Sequence, residues 1–134
     1  MNAEGKETGN SPSRRDAAAS GEVYHADRNA LGLLGLMRRA GKLGTGEAGT
    51  RQSVRSGEAR LILLASDASR NAVKRAEGFA RAAGVPLLRL DADQTMLCAA
   101  AGVSGGVIFS VCEDGFADAF RKKLHSGSEV QVNS

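Results

Sequence analysis

Residues 60–65 read Arg-Leu-Ile-Leu-Leu-Ala, an unbroken apolar run after the arginine. A strand with one face in water alternates polar and apolar residues, so a run with no polar position is the mark of a strand covered on both faces. A chain built around such a strand has to bring helices to two sides of a sheet. The 134 residues, 42% of them hydrophobic, suffice for one modest core of this kind.

The residues on either side supply those helices. Leu33, Leu36, Met37 and Ala40 repeat at helical spacing, with Leu34 beside them, which predicts a helix from Ala30 to about Ala40, capped by Asn29 and stopped by Gly41. Leu43 to Thr45 reads as a short strand, followed by a helix over 46–56 that Gly57 ends. After the central strand, Asp67 or Ser69 can cap a helix reaching about Ala83, with Ala72, Val73, Ala76, Phe79, Ala80 and Ala83 inward. Arg70, Lys74, Glu77 and Arg81 mark its outer face. Leu87 to Leu90 follows as a strand, Asp93 caps a helix to Ala101, and residues 102–106 form a loop. Val107 to Val111 is a further strand, and the last helix covers 114–124 with Phe116, Phe120 and Leu124 inward. Helices alternating with short apolar strands predict an α/β protein, a three-layer α/β/α sandwich around a four-strand mixed sheet.

Residues 1–28 hold almost nothing apolar before Val23 and Tyr24, so they are expected to be a disordered arm. The folded domain is expected over 29–124, with 125–134 as a flexible polar tail. No signal-peptide pattern opens the chain, and the apolar stretch Ala30 to Met37 is too short to span a bilayer. These features predict a cytoplasmic protein with no membrane partner. Cys98 and Cys112 stand in apolar surroundings without a metal-binding or catalytic motif, which reads as buried free thiols.

Charge is placed unevenly. Residues 30–60 carry six cations, Arg38, Arg39, Lys42, Arg51, Arg55 and Arg60, against Glu47 and Glu58, a local charge of +4 within a chain of net +3. Such a patch suits a polyanion, most simply a nucleic acid. The stretch from Gly41 to Gly57 holds five glycines and leads into the helix bearing Arg51, Gln52 and Arg55. A glycine-lined helix start with cations behind it is suited to receive an anion.

Enzyme readings find little support. Gly44, Gly46 and Gly49 match the dinucleotide fingerprint literally, but a helix rather than a buried strand precedes them. The Gly41-Lys42 step fails as a phosphate loop, because Leu43 stands where a hydroxyl is required. The histidines, His25 and His125, fall in the expected arm and tail, so the folded segment lacks the imidazole that most metal sites and nucleophile–base pairs use. Asp67, Asp91 and Asp93 read as turn and cap residues. The sequence therefore predicts no catalytic residue, no metal and no cofactor. Gly49 has two open readings: close packing against the sheet, or a bare face left for a nucleic acid backbone.

The order of several motifs carries a resemblance. Leu31-Gly-Leu-Leu-Gly-Leu-Met-Arg-Arg-Ala-Gly-Lys42, Gly46, Leu61-Ile-Leu-Leu-Ala-Ser-Asp-Ala-Ser69, Val85-Pro86, Ala99-Ala-Ala-Gly102 and Asp114-Gly-Phe-Ala117 follow one another as in the kink-turn RNA-binding ribosomal proteins of the L-seven-Ae and L-thirty-e type. Over residues 30–124 the chain resembles that family, most nearly its small bacterial branch. The resemblance implies an α/β/α sandwich, association with structured RNA or the ribosome, and no catalysis. By position it carries the RNA face over to Gly46, Glu47, Ala48, Gly49 and Gln52 at the second helix, and to Val103, Ser104 and Gly105 in the loop before the last strand. Where kink-turn binders have an Asn-Glu pair and then a Lys, this chain has Ala48-Gly49 and Gln52. The expectation is RNA contact there without the groups that read sheared G·A pairs.

The full expected surface is Arg38, Arg39, Lys42, Gly46, Glu47, Ala48, Gly49, Arg51, Gln52, Arg55, Val103, Ser104 and Gly105, with the cations on phosphates and Val103 against a base or sugar. Two other classes of function remain compatible with the residues. One is a protein-interaction module docking on a ribosomal or RNA-modification partner, and the other is a small-nucleotide binder using the Gly44–Gly49 turn.

Overall fold

The computed structural model describes residues 22–126. In chain order the elements are β1 (Val23–Ala26), α1 (Arg28–Arg39), β2 (Leu43–Thr45), α2 (Gly46–Arg55), β3 (Leu61–Leu64), α3 (Arg70–Ala83), β4 (Leu87–Leu90), α4 (Gln94–Ala101), β5 (Ile108–Val111), α5 (Asp114–Lys122) and β6 (Leu124–Ser126). The strands form one mixed sheet in the order β2-β5-β3-β4-β1-β6.

β3 lies inside the sheet, parallel to β4 and antiparallel to β5, and all four of its residues are buried. Leu61 and Leu63 face a core shared with Leu34 and Met37 of α1, Leu97 of α4 and Phe120 of α5. Ile62 and Leu64 face the other core, with Ala72, Ala76 and Ala80 of α3 and Val54 of α2. The apolar run is therefore two alternating faces, each with its own helical cover.

The sheet has six strands, and the expectation of four is corrected. One addition comes from the expected arm, and the other from the start of the expected tail together with Leu124, which opens β6 instead of ending the last helix, since α5 stops at Lys122. Val23–Ala26 pairs parallel to β4 and antiparallel to Leu124–Ser126, so the two short segments complete one edge together. Their patterns are too short to signal a strand alone, because each is stabilised by a partner distant in sequence. The rest of the expected arm and tail, 1–21 and 127–134, lies outside the described residues.

The caps show the same effect of the added edge. α1 is capped by Asp27, whose carboxylate accepts the Ala30 N–H at 2.9 Å, rather than by Asn29. Of the two candidates before α3, Ser69 accepts the Ala72 N–H, while Asp67 accepts the N–H of Gln94 at the start of α4. Both histidines sit in the completed edge. His25 Nδ1 lies 2.6 Å from Asp91 Oδ2, and His125 Nε2 lies 3.7 Å from Asp27 Oδ2. Asp91 is thus more than a turn residue, since it also accepts the Ala26 N–H and ties β1 to the end of β4.

Strand direction positions the surface of interest. β1, β3 and β4 run parallel, and β2 shares their direction because both β2 and β3 are antiparallel to β5. Each of these four strands leads directly into a helix. The N-termini of α1 to α4, with the positive ends of their dipoles, consequently gather at the end of the sheet where β5 begins. Among the described residues no helix is long and apolar enough to cross a membrane.

Candidate nucleic-acid interface

The start of α2 is shaped by backbone rather than by side chains. Thr45 precedes the helix but makes no side-chain capping bond, and Gly46 takes φ +74°, a conformation costly for residues with a Cβ. The loop 102–106 meets α2 here. Gly106 has φ +124°, and a Cβ on it would stand 3.1 Å from both the Cα and the N of Gly46. Two segments sixty residues apart therefore touch backbone to backbone.

Cys98 holds the loop from behind. Its carbonyl accepts the N–H groups of Gly102 and Val103 at 2.8 and 3.0 Å, and its thiol donates to the Gly106 carbonyl at 3.5 Å. One buried residue thus fastens both ends of the loop. Burial pushes the Cys98 thiol up, and the Asp67 charge pushes it the same way, so the group stays protonated and able to donate near neutral pH. Val103 is half-buried against the α1–α4–α5 core, while Ser104 and Gly105 are exposed.

The candidate cations are distributed unequally around this junction. Arg38, in the last turn of α1, approaches the loop's first residue, its Nη1 lying 3.8 Å from the Cβ position of Gly102. Arg39 is exposed nearby, with Nη1 3.4 Å from the Cβ position of Gly35 on its own helix. Arg51 pairs with Glu47 at 2.7 Å and covers the Phe79 ring at 5.7 Å, directing it toward α3. Arg75 joins the same carboxylate oxygen at 3.4 Å, so two cations bracket Glu47. Ala48, Gln52 and Arg55 are exposed along α2.

Lys42 stands apart. Its carbonyl accepts the Cys112 N–H, and the β2–β5 ladder runs from Leu43 opposite Val111 to Thr45 opposite Phe109. Gly46 and Gly106 lie beyond the second end of that ladder and Lys42 beyond the first, a separation of roughly 10 Å or more at strand rise. Cys112 itself is half-buried rather than buried.

Gly49 is packed. A Cβ on it would meet the Gly44 carbonyl carbon at 3.3 Å, and one on Gly44 would stand 2.8 Å from the Gly49 oxygen and collide with Ser110 Oγ. That hydroxyl is buried and hydrogen-bonded to Ser53 Oγ at 2.7 Å. The literal Gly44–Gly46–Gly49 fingerprint is thus a helix docked on a three-residue edge strand, not the phosphate turn of a βαβ unit.

The sequence reading missed Gly106, Cys98 and Arg75. The Gly105-Gly106 pair before a strand was an available signal for a tight approach, whereas the thiol's role depends on where α4 lies. Among the described residues no group of three His, Cys, Asp or Glu is arranged to hold a metal ion.

Residues 28–118 match the model of the ribosomal protein L7Ae/L30e/S12e/Gadd45 family. The chain belongs to this family. Among its relatives is the RNA-binding protein YlxQ of Enterococcus faecium, 33% identical over 92 residues that cover 67% of this chain and 85% of that protein. YlxQ of Bacillus subtilis (strain 168) is also 33% identical, over 86 residues covering 64% of this chain and 85% of the relative. A solved structure from Bacillus halodurans C, of a protein with unknown function, superposes with a TM-score of 0.65 at 29% identity, covering 72% of this chain and 97% of its own. The Giardia lamblia 15.5kD RNA binding protein shares the fold at 19% identity and a TM-score of 0.56, covering 74% of this chain and 88% of its own. The matched L7Ae-family region takes in both the start of α2 and loop 102–106.

Proposed function

We propose that this L7Ae-family protein is a non-enzymatic, ribosome-associated RNA-binding protein of the cytoplasm, with its RNA surface at the first turns of α2 and loop 102–106. The observation that carries the proposal is the backbone contact of Gly46 with Gly106 at the end of the sheet that collects helix N-termini. Bare peptide N–H groups there suit phosphate and sugar oxygens, and the YlxQ relatives carry the name RNA-binding protein. Arg38 flanks the junction and contacts phosphates, while Arg51, held by Glu47 over Phe79, adds to the field beside it. Gln52 hydrogen-bonds outward from α2, and Val103 meets a base or sugar. Arg39, Lys42 and Arg55 add to the attractive field at longer range.

The same surface lacks the usual kink-turn reading groups, because Ala48 and Gly49 offer no side-chain donor or acceptor. We therefore propose structured RNA, most simply ribosomal, without strong dependence on sheared G·A pairs. Filter binding to structured ribosomal RNA across a salt series tests this. Engagement of about four phosphates gives a log–log slope of roughly −3 to −4. The double substitution Arg38→Gln and Gln52→Ala lowers affinity while the far-UV spectrum is kept. Affinity independent of salt, or absent at low salt, would falsify the proposal; a strong preference for an intact kink-turn over its G·A-substituted form would overturn the specificity reading alone.

A further inference from the structure

The outer face of α3 belongs to neither the core nor the junction just described, yet it is strongly cationic. α3 carries Arg70, Lys74, Arg75 and Arg81 against one acid, Glu77. Arg70, Lys74 and Arg81 follow one another at helical spacing along a single stripe, and all three are exposed. Among the described residues none of the three is in an ion pair, whereas Arg75 is engaged by Glu47.

Gly78 lies beside this stripe, one turn beyond Lys74 and one before Arg81. A glycine inside a helix is destabilising relative to alanine. At Gly49 close packing accounts for the missing Cβ, but at Gly78 nothing lies within 4 Å of the Cβ position. Ala82, one turn further on, is exposed as well. The face is therefore a low strip of small residues bordered by cations.

We infer that this face is a second phosphate-contact surface, along which a duplex stem of the bound RNA lies. The inference rests on the RNA-binding reading above and extends it to the form of the RNA. Arg70 to Arg81 spans about 16 Å at the helical rise per residue, enough to follow roughly five phosphates of one strand along a duplex axis. The surface is continuous with the α2 junction, because Arg75 reaches Glu47 in the first turn of α2. A single strand fits less well, since base stacking needs an exposed ring and Phe79, the aromatic residue of α3, is covered by Arg51. An acidic protein fits less well too, because the strip presents no large apolar anchor.

The test replaces Arg70, Lys74 and Arg81 together with Gln, a good helix former, in the full chain. Two labelled probes are titrated between 50 and 200 mM salt: a hairpin RNA with a stem of about 20 base pairs, and an unstructured RNA of about 20 nucleotides. Loss of three phosphate contacts should lower hairpin affinity by about tenfold at 100 mM salt and make its log–log slope shallower by roughly 2 to 3, with a much smaller change on the unstructured probe. Unaltered hairpin affinity and slope would overturn the inference while leaving the RNA-binding proposal intact. Equal losses on both probes would overturn it in favour of a diffuse field. Equal competition by polyglutamate would overturn it in favour of an acidic protein. If the unsubstituted protein binds neither probe at low salt, the RNA-binding reading itself falls.

Discussion

Two glycine contacts made from the same short stretch do opposite things. Gly44 and Gly49 bring β2 and the second turn of α2 together, and the space they vacate is filled by backbone and by the buried Ser110 hydroxyl. Gly46 and Gly106 also meet backbone to backbone, but at the open end of the sheet, with exposed Ser104 and Gly105 beside them. The first contact is interior and holds the fold, while the second lies at the centre of the RNA surface proposed above. Glycine density alone does not distinguish them; the buried Ser110 beside one and the exposed loop residues beside the other do.

The largest effect that separates the two contacts is expected at Gly44. Gly44→Val drives a branched side chain into Ser110 and the Gly49 carbonyl, and overpacking of this kind should cost about 3 kcal/mol, read as a lower urea midpoint with an unchanged slope. Wild-type stability in Gly44→Val would mean that α2 is not held to β2 through this contact.

Gly106→Ala should show a smaller loss of stability and a larger loss of function. A Cβ at φ +124° and 3.1 Å from Gly46 costs about 1–3 kcal/mol in backbone strain and displaces the loop from the start of α2. RNA affinity of the folded protein should fall by about tenfold, equivalent to about 1.4 kcal/mol. Measured by filter binding under conditions where the protein is fully folded, unchanged affinity would remove the Gly46–Gly106 junction from the RNA surface.

The difference between these contacts also explains how far the sequence could be read. The apolar run of β3, the stop at Gly41 and the caps at Ser69 and Asp93 are local signals, and the elements they mark were legible. The family resemblance was legible for the same reason, since its motifs are short and ordered. β1 and β6 were not, because each is stabilised by pairing across a hundred residues, and neither has a side-chain pattern that announces it. At the candidate surface the glycines and cations were visible, but their division of labour was not. Nothing local in Gly49 says that it packs on Gly44, or that Arg51 turns toward Phe79 while Arg38 approaches Gly102.

The smallest expected effect lies at the sheet edge opposite both contacts and is the control for them. Asp27 caps α1 at the β1–β6 edge, and the Ala30 N–H it accepts holds its carboxyl below the usual carboxylate range. Burial opposes that shift, while the Asn29 N–H and the nearby His125 and His25 reinforce it. Because the folded value is depressed, the cap's contribution is fully present above the unfolded value of about 3.9 and is lost as pH falls through the lower folded value. Asp27→Ala should therefore cost about 1 kcal/mol near neutral pH, with the deficit relative to the wild type closing in acid, as followed by urea denaturation at a series of pH values. RNA affinity of the folded variant should be unchanged. A destabilisation near that expected for Gly106→Ala, without its loss of binding, is what separates a damaged surface from a merely weakened fold. If Asp27→Ala lost RNA affinity in proportion to stability, the contrast between the interior and surface glycine contacts would have no functional meaning.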